Sequence, residues 1–375
     1  MTLKVTWQQA LAWRMQRHLL DPVGSLPVAD VVRRLCGVQT QVASSAELAI
    51  RVRRRTSSSG EVSRALSEGR LIKTWAMRGA LHLLTPEEGG AFLALMAAGR
   101  SWERPSWQRY FGVTTAQQDA LRQAVREALD GTLLTRDELV AAVIAKPGLG
   151  HVGEALSSGW GTLLKPLAWQ GDLCFGPNRG TRVTFMRPES ASSRWAGVPD
   201  VEDAAPVAIA AYLGVYGPAT AEGFSNWLAG GWFGKRQLRA WLDRIGDRLE
   251  EVEVDGGRAY ILAEDLDGLA SAAPTQAVRL LPGFDQYVLG PGTADGTVTP
   301  TARRAAVSKQ SGWISPVVVA GGVVCGTWEL DGDGLNVAWF SEAGKPPRKA
   351  LAAEVERISS ILDRDLEIAI NPAKG

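Results

Sequence analysis

Residues 66–84 read L-S-E-G-R-L-I-K-T-W-A-M-R-G-A-L-H-L-L. A helical segment runs into Gly69, and two short apolar runs follow around a turn. Glycine can end a helix in a left-handed cap without steric penalty. Alternating apolar runs on either side of a turn are the pattern of a β-hairpin. The same order returns at 167–185, L-A-W-Q-G-D-L-C-F-G-P-N-R-G-T-R-V-T-F, and at 242–262, L-D-R-I-G-D-R-L-E-E-V-E-V-D-G-G-R-A-Y-I-L. Gly171 and Gly246 take the place of Gly69, while P-N-R-G at 177–180 and D-G-G-R at 255–258 supply the turns.

Upstream of these hairpins, apolar residues recur three or four apart, as on one face of a helix. T-A-Q-Q-D-A-L-R-Q-A-V-R-E-A-L begins at Thr115, a cap residue. Thr135 with Glu138 three places on forms a capping box. Thr220 caps a further helix, and K-R-Q-L-R-A-W-L-D-R-I at 235–245 makes the next. Helices followed by a hairpin describe a winged helix. Three unrelated α+β segments would be the alternative, but they would not share the matched glycines.

After about residue 270 the runs A-V-R-L-L-P-G-F-D-Q-Y-V-L, S-P-V-V-V-A-G-G-V-V-C-G-T-W-E-L and L-N-V-A-W-F are strand-like, with Ala320-Gly321-Gly322 a tight turn. P-R-K-A-L-A-A-E-V-E-R-I-S-S-I-L closes the chain as a helix. The expected fold is therefore α+β: three tandem winged-helix units at 1–110, 111–198 and 199–268, then a C-terminal β-barrel-like domain at 269–375.

A chain of 375 residues fits two to four domains, and its 45% hydrophobic content can fill several cores. The net charge of +1 makes any basic surface local rather than global. Cys36, Cys174 and Cys325 are isolated, which favours a reducing compartment. His18, His82 and His151 are equally scattered, so neither a metal site nor a disulfide framework is expected. The N-terminal segment lacks a signal peptide's apolar core, and the apolar stretch 89–99 falls short of the ~20 residues of a membrane span. These features predict a cytoplasmic protein with no membrane association and no cofactor. Serine-hydrolase, zinc-protease and Walker motifs are absent; G-G-W-F-G at 230–234 and G-P-G at 290–292 read as turns.

Charge is concentrated in one place. Between 33 and 55 lie Arg33, Arg34, Arg51, Arg53, Arg54 and Arg55, opposed only by Glu47. Arginine's planar fork binds phosphate bidentately. Arg51, Arg53, Arg54 and Arg55 are accordingly candidates for DNA contact, with a solvated basic face as the plain alternative. Lys73, Arg78 and His82, with Trp75, extend the candidate surface onto the first hairpin, and Lys235, Arg236 and Arg239 open a later helix. Among the many tryptophans, Trp75, Trp102 and Trp107 are candidates to stack on a base.

The same region holds G-V-Q-T-Q at 37–41. Residues two apart diverge on a helix but share a face in an extended segment, and Gly37 marks a helix break. Gln39 and Gln41 together offer hydrogen bonds without charge. Such a pair can orient a water but is a feeble base. That suffices only for a leaving group that is already activated. Guanine alkylated on its major-groove ring nitrogen is such a group, because it carries a positive charge and departs without protonation. The competing reading is that two amides tie a loop to its neighbours.

The chain resembles the AlkZ/YcaQ family of bacterial DNA glycosylases over nearly its whole length. The resemblance rests on L-A-W-R-M-Q-R-H-L-L, G-V-Q-T-Q, W-A-M-R-G-A-L-H, Y-G-P-A-T-A-E-G-F-S-N-W, L-L-P-G-F-D-Q-Y-V-L-G and V-V-C-G-T-W. Gln39 and Gln41 match the AlkZ-like branch, which has glutamine at both ends of a Q-x-Q motif; the YcaQ-like branch has aspartate at the second. The resemblance implies tandem winged helices, a hydrolytic water placed by Gln39 and Gln41, and a monomer acting on duplex DNA that carries alkylated guanine. It also implies self-protection of an antibiotic producer, with bulky adducts or crosslinks as substrates. Two positions depart from the family: Thr40 where an apolar residue is expected, and Ala80 where threonine is usual. The expected activity is a monofunctional glycosylase without lyase chemistry. The alternatives are a winged-helix transcriptional regulator and a scaffold whose arginines meet an acidic protein.

Overall fold

The computed structural model describes residues 2–373. They form two compact units. One takes in the chain up to Glu61 together with everything from Ile209 onward; the other runs Val62–Ala208. This division is coarser than four successive segments, and strand pairing supplies the reason.

In the Val62–Ala208 unit the helix before the first hairpin ends as expected. Gly69 has φ +64, its N–H bonds to the Leu66 carbonyl, and Arg70 N–H reaches back to Ala65. Gly171 repeats the arrangement, with φ +74 and Asp172 N–H bonded to the Leu167 carbonyl. These are the paired bonds of a left-handed helix cap. The hairpins that follow do not stand apart as separate wings. Strand Ile72–Trp75 pairs with Leu81–Leu84 on one side and, through Lys73 and Phe175, with Cys174–Phe175 on the other. Cys174–Phe175 pairs with Thr184–Met186, which pairs with Leu134–Thr135, so one antiparallel sheet joins the first two hairpins. An open strand edge is a template for pairing, and here each hairpin satisfies the other's.

Helix Thr115–Ala128 is capped by Thr114, one residue earlier than the sequence suggests, in a capping box with Gln117. Arg136–Ile144 has the expected Thr135–Glu138 box. Leu121, Val125, Leu139 and Val143 bury against Leu163, Leu167 and Phe185.

In the other unit, strand Leu3–Val5 lies parallel to Leu249–Val254, which pairs with Gly257–Leu262 as the third hairpin. The first residues of the chain thus belong with the third hairpin, not with the first.

The C-terminal strands run Val278–Leu281, Val317–Ala320, Val323–Asp331, Gly334–Trp339 and Glu367–Pro372, antiparallel except for the last pair. Gly321 and Gly322 turn between two of them with φ +60 and +87, as the tight turn requires. The sheet is not closed into a barrel, contrary to the sequence expectation. Its first strand is met by the closing helix Arg348–Leu362 instead of by another strand. Glu354 on that helix accepts a hydrogen bond from Leu280 N–H at 3.1 Å and is itself held by Arg357. A carboxylate that takes up an edge N–H replaces the strand that would close the barrel.

Arg53 and Asp285 are both fully buried and form a bidentate pair with N–O distances of 2.7 and 2.8 Å. Arg53 also donates to the Ala49 carbonyl, and Asp285 accepts from Tyr287 N–H as a helix cap. Arg53→Met leaves a buried carboxylate unpaired and should cost about 3–5 kcal/mol. Adding Asp285→Leu should recover part of that loss. Urea denaturation of the parent, single and double variants measures both, and a double variant no more stable than the single would reject the pairing argument.

Candidate active site

The Val28–Arg34 helix ends in a left-handed cap of its own. Cys36 has φ +58 and its N–H donates to the Arg33 carbonyl; Gly37 has φ +103 and donates to the Val32 carbonyl at 2.9 Å. The chain then extends through Val38–Gln39, bends at Gln41, and enters helix Ala43–Arg51. Both glutamines therefore sit in the short non-helical passage that Gly37 announces. The second helix begins at Val42 with no side-chain cap and no acidic residue in its first turn. Its free N–H groups add a local positive potential immediately after Gln41.

Gln41 is exposed, while Gln39 is 9% exposed and Thr40 5%. Position 40 is a packing position, which accounts for the apolar residue expected there. Neither glutamine amide has a hydrogen-bond partner among the described residues. Amides that tied the loop to its neighbours would show such bonds. The segment also lacks a spare carboxylate. Asp30 is bound to Arg33, Glu47 accepts from Gly60 N–H, and Glu61 is bound to Arg54 and Ser58 N–H. Burial favours the neutral form of Glu61, yet the bonds from Arg54 and Ser58 outweigh it and hold the carboxyl below its usual range.

The arginine run divides. Arg53 belongs to the core pair with Asp285, so it is not available to phosphate. Arg54 bonds the Leu26 carbonyl and Glu61. Arg51 donates to Ser57 Oγ, with Glu61 near enough to feel its charge, and the exposed Arg55 donates to the Val23 carbonyl; neither forms a direct ion pair among the described residues.

The candidates on the first hairpin lie in the Val62–Ala208 unit and divide as well. Trp75 is 4% exposed, with its ring 4.6 Å from Phe175 and stacked on Phe185. His82 is 1% exposed and its Nδ1 lies 3.0 Å from the Ala80 carbonyl. Both are core residues and leave the set of DNA contacts. Trp102 is likewise buried, and Trp107 is half-buried against Phe111. Arg78 stays exposed at the turn, in a left-handed conformation with φ +54. Lys73 is half-buried with its ammonium 5.5 Å from the Phe175 ring, and burial lowers its pKa.

Sequence reasoning missed Trp160, which is 76% exposed, and Lys165, five residues on. The run S-S-G-W-G at 157–161 was the available signal: a tryptophan between two glycines has little chain around it to bury it. Among the described residues no cluster of histidine, cysteine or carboxylate could hold a metal ion, and no helix is long and apolar enough to cross a membrane.

The chain matches the family described as DNA glycosylase AlkZ-like over residues 32–361. It is 48% identical, over 363 residues, to a Streptomyces sahachiroi protein named interstrand DNA cross-link repair glycosylase, covering 96% of this chain and 98% of that protein. The solved structure of Streptomyces sahachiroi DNA glycosylase AlkZ superposes with a TM-score of 0.96 at 47% identity, covering 98% of this chain and 100% of that one.

Burial pushes the His82 imidazole down to about 3, although the Ala80 carbonyl pulls the other way. The unfolded chain takes up this proton near 6.5 and the folded chain does not, so stability falls as pH drops through that window. His18, fully buried and also shifted down by burial and by Arg53, Arg14 and Arg34, adds the same sign. The melting temperature should therefore fall between about pH 7 and pH 5, less steeply in His82→Asn. An equally steep fall in that variant would show that His82 is not buried neutral.

Proposed function

Because the chain belongs to the AlkZ-like DNA glycosylase family and is a hydrolytic DNA glycosylase, we propose that it excises cationic alkylated guanine from duplex DNA with a water oriented by Gln39 and Gln41. The observation that carries this reading is the pair of unpartnered amides in the helix break, in a segment where the nearby carboxylates are all engaged.

An alkyl group on the ring nitrogen gives the base a positive charge. When the bond from the base to C1′ of the sugar breaks, its electron pair neutralises that charge, so no acid is needed. The sugar becomes an oxocarbenium ion, which the neighbouring DNA phosphates stabilise. Water then adds to C1′ and loses a proton to solvent, leaving free base and an abasic site. A glutamine carbonyl accepts a hydrogen bond from that water and an amide N–H holds it in place. Positioning alone supplies the catalysis, and no side chain changes its protonation state. No lysine nucleophile takes part, so the enzyme is monofunctional.

Arg51, Arg55, Lys73 and Arg78 are the phosphate contacts on this reading, each exposed or half-buried with a cationic head. On this reading the three helix-and-hairpin passages, the first two sharing one sheet, meet the duplex, and the protein works as a cytoplasmic monomer. The name of the Streptomyces sahachiroi relative extends the substrate class to interstrand crosslinks. We place bulky adducts and crosslinks of a DNA-alkylating natural product, and with them self-resistance, in the same reading.

Gln39→Ala and Gln41→Ala should each slow single-turnover release of methylguanine by on the order of a hundredfold while duplex affinity holds. Parental rates in both variants would remove the glutamines from the mechanism. Borohydride should trap no protein–DNA adduct, and the excision rate should stay level from about pH 6 to pH 8.

A further inference from the structure

Trp160 is the most exposed tryptophan among the described residues and has no ring partner among them. It is nonetheless displayed on a fixed support. Gly161 N–H bonds to the Ser158 carbonyl at 3.0 Å, and the Gly161 carbonyl accepts from the N–H groups of both Leu164 and Lys165. Gly161 has φ +61 and sits directly on the Trp75 indole; a Cβ there would fall 2.3 Å from the ring. The turn is thus seated on the base of the first hairpin, and the indole between the two glycines is its one large apolar side chain left exposed.

Lys165 leaves the same turn toward the same hairpin. Its Cδ and Nζ lie 3.4 and 3.6 Å from where a Cβ on Gly79 would be, beside the exposed Arg78. Lys165 is half-buried, and it has neither a hydrogen bond nor a carboxylate partner among the described residues. Burial without a partner lowers its pKa, so its charge gains from any anion that approaches.

We propose that Ser158–Lys165 and the 76–80 hairpin turn form one DNA-docking element, in which the Trp160 indole stacks on a base while Lys165 and Arg78 take phosphates. An exposed flat apolar ring on the same turn as a lysine without an anionic partner matches what a nucleic acid offers: a π-face on a charged backbone. A protein partner would need a broader apolar patch than one indole. The proposal rests on duplex DNA being the substrate, but it concerns binding and not bond cleavage.

The test measures affinity for undamaged duplex over a salt series, with methylguanine excision by the parent as a separate control. Trp160→Ala should weaken binding about tenfold, and Trp160→Phe should restore most of it. Trp160→Ala should leave the salt slope intact, whereas Lys165→Gln should lower that slope by about one. Parental affinity in Trp160→Ala, from protein with a parental melting temperature, would overturn the element. So would sedimentation showing that Trp160→Ala dissolves a parental dimer while duplex binding is untouched. A parent inactive on methylguanine bears instead on the glycosylase chemistry, leaving the affinity comparison to decide the docking element.

Discussion

The buried pair between Arg53 and Asp285 is the constraint around which the larger unit is organised. Both side chains are completely withdrawn from solvent, and each ion alone would be costly there. Together they join the end of helix Ala43–Arg51 to residues 232 positions away in the chain. Asp285 also accepts from Tyr287 N–H, and the preceding Phe284 is held at φ +62, which a bulky side chain avoids unless its surroundings impose it. The helix anchored in this way is the one that begins immediately after Gln41. Its position, and with it the helix break that carries both amides, is held by an ion pair whose members take no part in chemistry.

That arrangement suits a reaction that asks little of its catalyst. A site designed to protonate a leaving group would hold a carboxylic acid in a desolvated pocket. In the sequence segment that carries Gln39 and Gln41, Asp30, Glu47 and Glu61 are instead occupied by arginine or backbone N–H groups. Occupied carboxylates stay ionised and fixed. What remains to meet a ligand is neutral and polar, with the positive end of a helix beside it. On the proposed reading the chemistry is shifted onto the substrate, and selectivity would follow, because an uncharged base does not leave under such mild assistance.

In the smaller unit a similar division separates support from display. Trp75 and His82 lie on the first hairpin but serve its core, Trp75 against Phe175 and Phe185 and His82 beneath the turn at Ala80. Their burial makes a firm platform for Arg78 at the tip and for the turn that carries Trp160. The hairpin's second edge is paired with the next hairpin through Lys73 and Phe175. Two tryptophans, one in an apolar strand and one between glycines, therefore end on opposite sides of the surface.

Local features were legible in the order of the residues alone. The caps at Gly69 and Gly171, the Thr135–Glu138 box, the break at Gly37 and the Gly321–Gly322 turn all follow from the preferences of residues a few positions apart. Those preferences are short-ranged, and backbone sterics enforce them wherever the chain lies. Membership of the arginines was not legible, because Arg53 and Arg55 differ only in what folding brings to them: a buried carboxylate 232 positions away, or a backbone carbonyl at the surface. The pairing of separate hairpins into one sheet, and the Glu354 side chain that meets an edge where a closing strand was expected, were also decided by tertiary contacts. Sequence determined where helices stop and strands turn; tertiary structure decided which charges and rings remain exposed, since burial is a property of neighbours distant in the chain.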